Sequence, residues 1–551
     1  MGARIRVEGL RVAAGEQVLV HDVDFALEPG EVLALIGESG SGKTTIALAL
    51  MGYARRGCRI AGGRVRIGET DVLALSESGK RALRGRRVAY IAQSAAASFN
   101  PSRRLLDQVI EPALLHGVLE RAEAERKAVA LFRDLALPDP ETIGQRYPHE
   151  VSGGQLQRVM AAMALIADPD VVVFDEPTTA LDVTTQIEVL AAFRRAVRVH
   201  GVSAIYVSHD LAVVAQMADR ILVLRHGRMR ECAATAQMLA APADDYTRSL
   251  LDAARVGERA PAAPASADVR AEPLLEVAGL SAGYGRVRDG KPEFPVLSDV
   301  DLTLYRGQAI GVIGESGSGK STLARCIAGL IAPAAGTVRF DGQALSGALA
   351  KRDRETLRRI QIVFQHADTA LNPAHTVGRI LERPLAFFHG MDAAARRRRV
   401  AELLDLVKLP AALADRTSVG LSGGQKQRIN LARALAAQPD LILCDEVTSA
   451  LDPVVAAAIL DLIAELRREV NASYLFISHD MHSVRAVCDG IVVMRHGRKL
   501  AQIAREDYAR GPHHPYYEQL ARSVPELRTG WLDDVLAAGG RSRAPTGEAT
   551  P

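Results

Sequence analysis

At 551 residues the chain is too long for one ordinary domain, and 48% hydrophobic with 24% charged residues is a soluble globular mix. With 68 basic against 65 acidic residues the net charge is +3, which argues against a large nucleic-acid footprint. The clusters Arg84-Gly85-Arg86-Arg87 and Arg396 to Arg399 read as solvated helix faces or loops. Five cysteines (Cys58, Cys232, Cys326, Cys444 and Cys488), far apart and without a C-x-x-C pair, argue against a disulfide framework or zinc site and fit a reducing compartment. No stretch approaches the about 18 consecutive apolar residues of a membrane-crossing helix. The first residues, with Arg4, Arg6 and Glu8, do not read as a secretory signal. If the protein works at a membrane, another chain is expected to do the spanning.

In chain order, the first marked element is the apolar run VLALI at 32–36, a strand, followed by GESGSGKT at 37–44 and an apolar helix. That context is what the phosphate-binding pattern G-x-x-x-x-G-K-[ST] requires. Phosphate is densely negative. A loop without side-chain bulk lets successive backbone N–H groups close around it, backed by the helix N-terminus. Gln93 follows in YIAQ, then VSGGQ at 151–155, the buried-strand run VVVFDEP at 171–177, and IYVSHD at 205–210.

The chain then repeats itself. GESGSGKS returns at 314–321 after the strand AIGVI, with Gln365 in VFQH, LSGGQ at 421–425, LILCDEV at 441–447 and LFISHD at 475–480. Gln155 to Gln425, Asp175 to Asp445 and His209 to His479 are each 270 residues, whereas Lys43 to Lys320 is 277. The first repeat therefore carries seven extra residues between its glycine loop and SGGQ, which reads as a loop difference. The expected organisation is a first domain at 1–252, an Ala/Pro-rich linker at 253–273, a second domain at 274–527 and a flexible tail at 528–551. The fold class is α/β: tandem doubly wound P-loop cores, each with a helical insertion.

The chemistry follows from residue type. The nucleotide-binding set is Gly37, Glu38, Ser39, Gly40, Ser41, Gly42, Lys43, Thr44 and Thr45 in the first half. In the second it is Gly314, Glu315, Ser316, Gly317, Ser318, Gly319, Lys320, Ser321 and Thr322. Lys43 and Lys320 are placed to reach the β- and γ-phosphates of ATP, and Thr44 and Ser321 to bind Mg²⁺. Asp175 and Asp445 would hold Mg²⁺, while Glu176 and Glu446 would polarise the attacking water. His209 and His479 would contact the γ-phosphate, and Gln93 and Gln365 would sense Mg²⁺ and water. A glutamate in both halves predicts two competent sites.

Combined with these, SGGQ resembles the signature of the ATP-binding-cassette ATPases, over about residues 4–250 and 274–525. The resemblance implies that two such domains pair head to tail. Ser152, Gly153, Gly154 and Gln155 would then cap the nucleotide on Lys320, and Ser422, Gly423, Gly424 and Gln425 that on Lys43. A finer resemblance, in the segments at 147–186, 97–112 and 369–385 and in HHPYYEQL at 513–520 with ADDYTRSLL at 243–251 as a degraded copy, is to the oligopeptide, dipeptide and nickel importer ATPases. It implies an importer motor coupled to two transmembrane permease subunits and, indirectly, a solute-binding protein, peripheral on the cytoplasmic face of the inner membrane. Tyr284 is placed to stack on adenine in the second half, whereas the first half has Ala14 there. The C-terminal cysteine cluster of many relatives is missing, so no iron–sulfur cluster is expected. Val447 replaces the proline usual after the second Asp-Glu. A soluble ribosome-associated tandem ATPase is the alternative, disfavoured by the short Ala/Pro-rich linker. DNA-repair relatives carry zinc-binding cysteine pairs or coiled coils, which this sequence lacks.

Overall fold

The structure is a computed structural model that describes residues 2–179, 181–255, 272–288, 291–449, 451–470, 472–508 and 510–539. Most of the expected linker (256–271) and the last residues of the expected tail (540–551) lie outside the described residues. The chain forms two compact units, Met1–Ala254 with Pro525–Pro551, and Arg255–Val524. No helix among the described residues is long and apolar enough to cross a membrane.

In the first unit a six-stranded sheet runs in the order Arg228–Ala234, Arg220–Arg225, Val32–Ile36, Ser203–Val207, Val171–Asp175, Val88–Ile91. All neighbours are parallel except the first pair. The continuous apolar runs at 32–36, 171–175 and 203–207 are buried along their whole length, as parallel strands covered on both faces must be. A four-stranded antiparallel sheet lies in the order Gln17–Leu27, Ile5–Ala14, Cys58–Ile67, Thr70–Asp71. One apolar core joins the two sheets and the helix Lys43–Ala49. Helices Leu105–Leu115, Arg121–Asp134 and Gly153–Leu165 pack together as the helical insertion. The arginine cluster at 84–87 braces the fold rather than facing only water. Arg84 donates to the Met51 and Gly52 carbonyls, and Arg87 pairs with Asp170 at 2.6 Å.

The second unit repeats this plan. Its six strands lie in the order Ile360–Val363, Leu441–Asp445, Ser473–Ile477, Ala309–Ile313, Gly490–Arg495, Arg498–Ala504. The length differences between repeats fall in specific places. The hairpin before the glycine loop is Pro273–Arg288 with Lys291–Tyr305, against Ile5–Ala14 with Gln17–Leu27 in the first unit. The first unit recovers residues later, in part by a ten-residue strand, Cys58–Ile67, where the second has the six of Ala335–Phe340. The seven extra residues of the first repeat are thus partly strand, not loop alone.

The C-terminal segment departs from the flexible tail expected after 528. Trp531–Gly539 is a helix, and it belongs with the first unit. Trp531 and Leu532 are buried, and burying two such side chains favours order over a solvated coil. Gln216, itself buried, donates to the Glu526 and Arg528 carbonyls at 3.0 and 2.7 Å and accepts from the Leu532 N–H at 3.0 Å. Arg194 pairs with Asp533. Gln216 and Arg194 are matched 270 residues later by Ala486 and Ala464, so only the first repeat carries this seat. Gln216→Ala leaves the Arg528 carbonyl and the Leu532 N–H without this partner, while the Glu526 carbonyl keeps the Arg528 N–H. It is expected to lower stability by about 1–3 kcal/mol in denaturant titration and to speed amide exchange at 531–539.

Candidate functional site

Each glycine loop joins a central parallel strand to the helix that begins at its lysine. Gly37 has φ 146° and Gly314 φ 153°, and a Cβ on either would sit 2.1 or 2.2 Å from the carbonyl oxygen of Leu224 or Met494. Only glycine fits there. Lys43 Nζ donates to the Gly37 and Glu38 carbonyls at 2.7 and 2.9 Å, and Lys320 Nζ to those of Gly314 and Glu315, both at 2.8 Å. Both ammonium groups are thus held across the loop. Ser39, Gly40, Ser41, Gly42, Thr44 and Thr45 complete the first loop and helix start. Ser316, Gly317, Ser318, Gly319, Ser321 and Thr322 complete the second.

The carboxylates converge on the same helix. Thr44 Oγ1 donates to Asp175 Oδ1 at 2.9 Å, and Ser321 Oγ to Asp445 Oδ1 at 2.7 Å. Both aspartates end fully buried strands. Burial, reinforced by the neighbouring Glu446 charge, pushes Asp445 above the usual carboxylate range despite the Ser321 bond. Carboxylate, hydroxyl and the nearby amide are hard oxygen donors of the kind Mg²⁺ takes.

Glu176 and Glu446 hold φ 49° and 50°, a strained conformation for a residue with a side chain, fixed by N–H bonds to Val207 and Ile477. Gln93 Nε2 lies 3.3 Å from Glu176 Oε2, and Gln365 Nε2 lies 2.9 Å from Glu446 Oε2. His209 Nδ1 is 3.2 Å from Glu176, and His479 Nδ1 is 3.5 Å from Glu446. Burial would raise both glutamates, but the histidine bonds and the lysine charges outweigh it and hold them below the usual range. Burial would likewise lower His209, yet Glu176 raises it; at His479 the Glu446 bond leads and burial opposes. A raised histidine stabilises the fold fully below about pH 6.5, and that contribution is lost as pH rises through the folded value. At neutral pH both glutamates are carboxylates, able to accept a proton from water.

The SGGQ segments are helix N-termini. Ser152 and Ser422 cap Gly153–Leu165 and Gly423–Leu435, each in a reciprocal box with Gln155 or Gln425. Gly153, Gly154, Gly423 and Gly424 form their first turns, where N–H groups lack intrahelical partners. Tyr284 Oη lies 3.4 Å from Thr322 Oγ1, which brings the ring beside the second glycine loop. Across the hairpin it pairs with Phe294, whereas Ala14 pairs with Gln17.

The ABC transporter family model matches residues 20–179 and 297–449, one span in each unit. The chain is 36% identical, over 95% of its length and 90% of the relative's, to a glutathione import ATP-binding protein of Escherichia coli strain K12. It is 36% identical, over 91% of its length and 92% of the relative's, to a peptidoglycan transport ATP-binding protein of Agrobacterium fabrum. The chain belongs to the ABC transporter family.

As a member of that family it binds and hydrolyses ATP. The structure of an archaeal ribosome recycling factor, solved with a ribosomal stalk protein, covers 90% of this chain and 90% of its own at TM-score 0.57 and 21% identity. That likeness shows the tandem fold alone.

One neighbour of this ABC protein's candidate site escapes motif reading. Tyr90 Oη donates to Asp175 Oδ2 at 2.5 Å, so both oxygens of that carboxylate are engaged. Tyr90 stands opposite Val173 in the sheet, as Ile362 stands opposite Leu443. Asp445 consequently has Ser321 as its one side-chain hydrogen-bond partner among the described residues. If Asp175 holds a divalent ion, Tyr90→Phe is expected to weaken its retention about tenfold, since partners that orient a metal ligand commonly matter by 10–100-fold. Mn²⁺ binding in the presence of ATP, followed by electron paramagnetic resonance, checks this.

Proposed function

We propose that the chain is the energy-coupling subunit of an ABC importer for peptides or related small solutes such as glutathione-like molecules or nickel chelates. The observation that carries this reading is the similarity to import ATP-binding proteins across 95% of the chain, with both units on one polypeptide in this chain. In each unit the glycine loop, with Lys43 or Lys320, binds ATP. Thr44 with Asp175, and Ser321 with Asp445, would hold Mg²⁺, and Gln93 and Gln365 would sense it and the attacking water. When bound, the ion neutralises charge on the β- and γ-phosphates. Glu176 and Glu446 take the proton of the attacking water, and His209 and His479 contact the γ-phosphate. The signature turns at Ser152 and Ser422 each close over the nucleotide of the other unit, as the family resemblance implies. Tyr284 stacks on adenine in the second site, and without a ring at Ala14 the first binds nucleotide more weakly.

Two permease subunits, served by a solute-binding protein, receive the motion, which places this subunit peripherally on the cytoplasmic face of the inner membrane. Reconstitution tests the assignment. With its permeases in vesicles, ATP hydrolysis is expected to rise when the binding protein and a peptide or glutathione are supplied. Detergent-insensitive recovery with ribosomes, and no recovery with permeases, would overturn it.

A further inference from the structure

The segments ADDYTRSLL and HHPYYEQL stand outside the chemistry described above, yet each delivers a phenol to the glycine loop of its own unit. Tyr246, on the helix Asp245–Ala254, accepts a hydrogen bond from the Glu38 N–H at 3.2 Å. Tyr516, on the helix Pro515–Arg522, accepts one from the Glu315 N–H at 3.3 Å. Both rings are buried, 5% and 3% exposed. Each is covered by a guanidinium, Arg225 at 4.6 Å from the Tyr246 centroid and Arg495 at 4.7 Å from that of Tyr516.

The same residue of each loop is held at its other end. The carbonyls of Glu38 and Glu315 receive the lysine ammonium groups. One peptide residue therefore links a phenol on the C-terminal segment to the lysine that faces phosphate. The strand end beside it adds a second brace, since Gly227 N–H donates to the Ser41 carbonyl and Gly497 N–H to that of Ser318. The two units reach this arrangement from different local sequences. Asp244 Oδ1 accepts from the Tyr246 N–H, whereas His514 Nδ1 does so for Tyr516. Local sequence has diverged while the phenol, the arginine and the loop contact all recur.

We propose that Tyr246 and Tyr516 are positioning residues of the two phosphate loops, setting ATP affinity by holding Glu38 and Glu315 in the nucleotide-ready conformation. This rests on the reading of the glycine loops as ATP sites. A flexible loop must be ordered before its N–H groups converge on phosphate, so a loop ordered in advance binds more tightly. Neither phenol is hydrogen-bonded to Glu176, Glu446, Asp175 or Asp445, so the effect falls on binding rather than on the chemical step.

The test uses the full chain with phenylalanine, which keeps the buried ring and its arginine. Tyr246→Phe is placed in a Lys320→Ala background and Tyr516→Phe in a Lys43→Ala background, so that a fluorescent ATP analogue reports one site at a time. Each is expected to weaken binding at its own site by about threefold to tenfold, the range of one lost hydrogen bond. In the otherwise unaltered chain the double variant raises KM for ATP by a similar factor, with kcat at saturating ATP within about twofold. A fall in melting temperature with unchanged ATP affinity would show bracing alone and overturn the proposal. So would a fall in kcat at unchanged KM. If the analogue fails to bind the two single-lysine backgrounds themselves, the reading of the loops as ATP sites falls, and the proposal with it.

Discussion

Glu176→Gln and Glu446→Gln, introduced together, are expected to lower ATP turnover by about 10²–10⁴-fold, the usual contribution of a positioned general base, while ATP affinity is retained. The amide keeps the shape of the carboxylate but cannot accept a proton from water. Its neighbours stay in place: Lys43 and Lys320 remain clamped to their loop carbonyls, and Thr44 and Ser321 remain on Asp175 and Asp445. Binding and chemistry thereby separate in one experiment, phosphate release against nucleotide titration. The single variants test coupling. Two independent sites would leave about half of the turnover after either substitution, whereas sites that must close together leave far less. We expect far less. A single substitution without effect would mark its unit as a nucleotide holder rather than a working site.

Gly37→Ala and Gly314→Ala are expected to abolish nucleotide binding at the altered site. The added methyl would lie 2.1 Å from the Leu224 carbonyl oxygen in one unit and 2.2 Å from that of Met494 in the other. Those oxygens belong to the strands Arg220–Arg225 and Gly490–Arg495, which neighbour the loop strand in the sheet, so they cannot retreat as a side-chain tip would. The φ values of 146° and 153° add backbone strain. Strain and overpacking together cost about 3 kcal/mol or more, and an equal loss in binding is more than a hundredfold. Displacing Gly37 also displaces the carbonyl that receives Lys43 at 2.7 Å. Gly40→Ala is the milder comparison, since nothing lies within 4 Å of its added Cβ. Site-resolved titration with denaturant midpoints separates lost affinity from lost fold.

The candidate nucleotide sites were legible in the sequence wherever their parts are close along the chain. An apolar run, a glycine loop and a lysine within a dozen residues fix a strand, a turn and a helix start by local geometry. The same holds for Asp175-Glu176 at the end of VVVF and His209 at the end of IYV. Tyr90 and Tyr246 were not legible as neighbours of the candidate sites. They meet Asp175 and Glu38 across 85 and 208 residues, where spacing carries no information. The only trace of Tyr246 was its segment's likeness to HHPYYEQL, which marked a relationship without a role. The four-stranded sheets were also hidden. Register shifts between Val7 and Leu10, and between Val12 and Ala13, break the period of two that marks a half-buried strand. In the tail, Gly, Ser, Pro and Thr in the last residues masked a short apolar anchor at Trp531 and Leu532.

By itself the sequence determined that there are two ATP-binding units, where their loops and carboxylates lie, and that the first lacks a ring at Ala14. These are properties of contiguous residues, whose backbone preferences and apolar runs act before any tertiary contact forms. Only the tertiary structure decided that, among the described residues, Asp175 has a second side-chain hydrogen-bond donor where Asp445 has one, and that the C-terminal helix Trp531–Gly539 belongs with the first unit. It also decided that a phenol from each C-terminal segment holds a glycine loop. Each depends on a hydrogen bond or buried ring between distant residues, and such contacts exist only once the packed sheets and helices have brought their partners together.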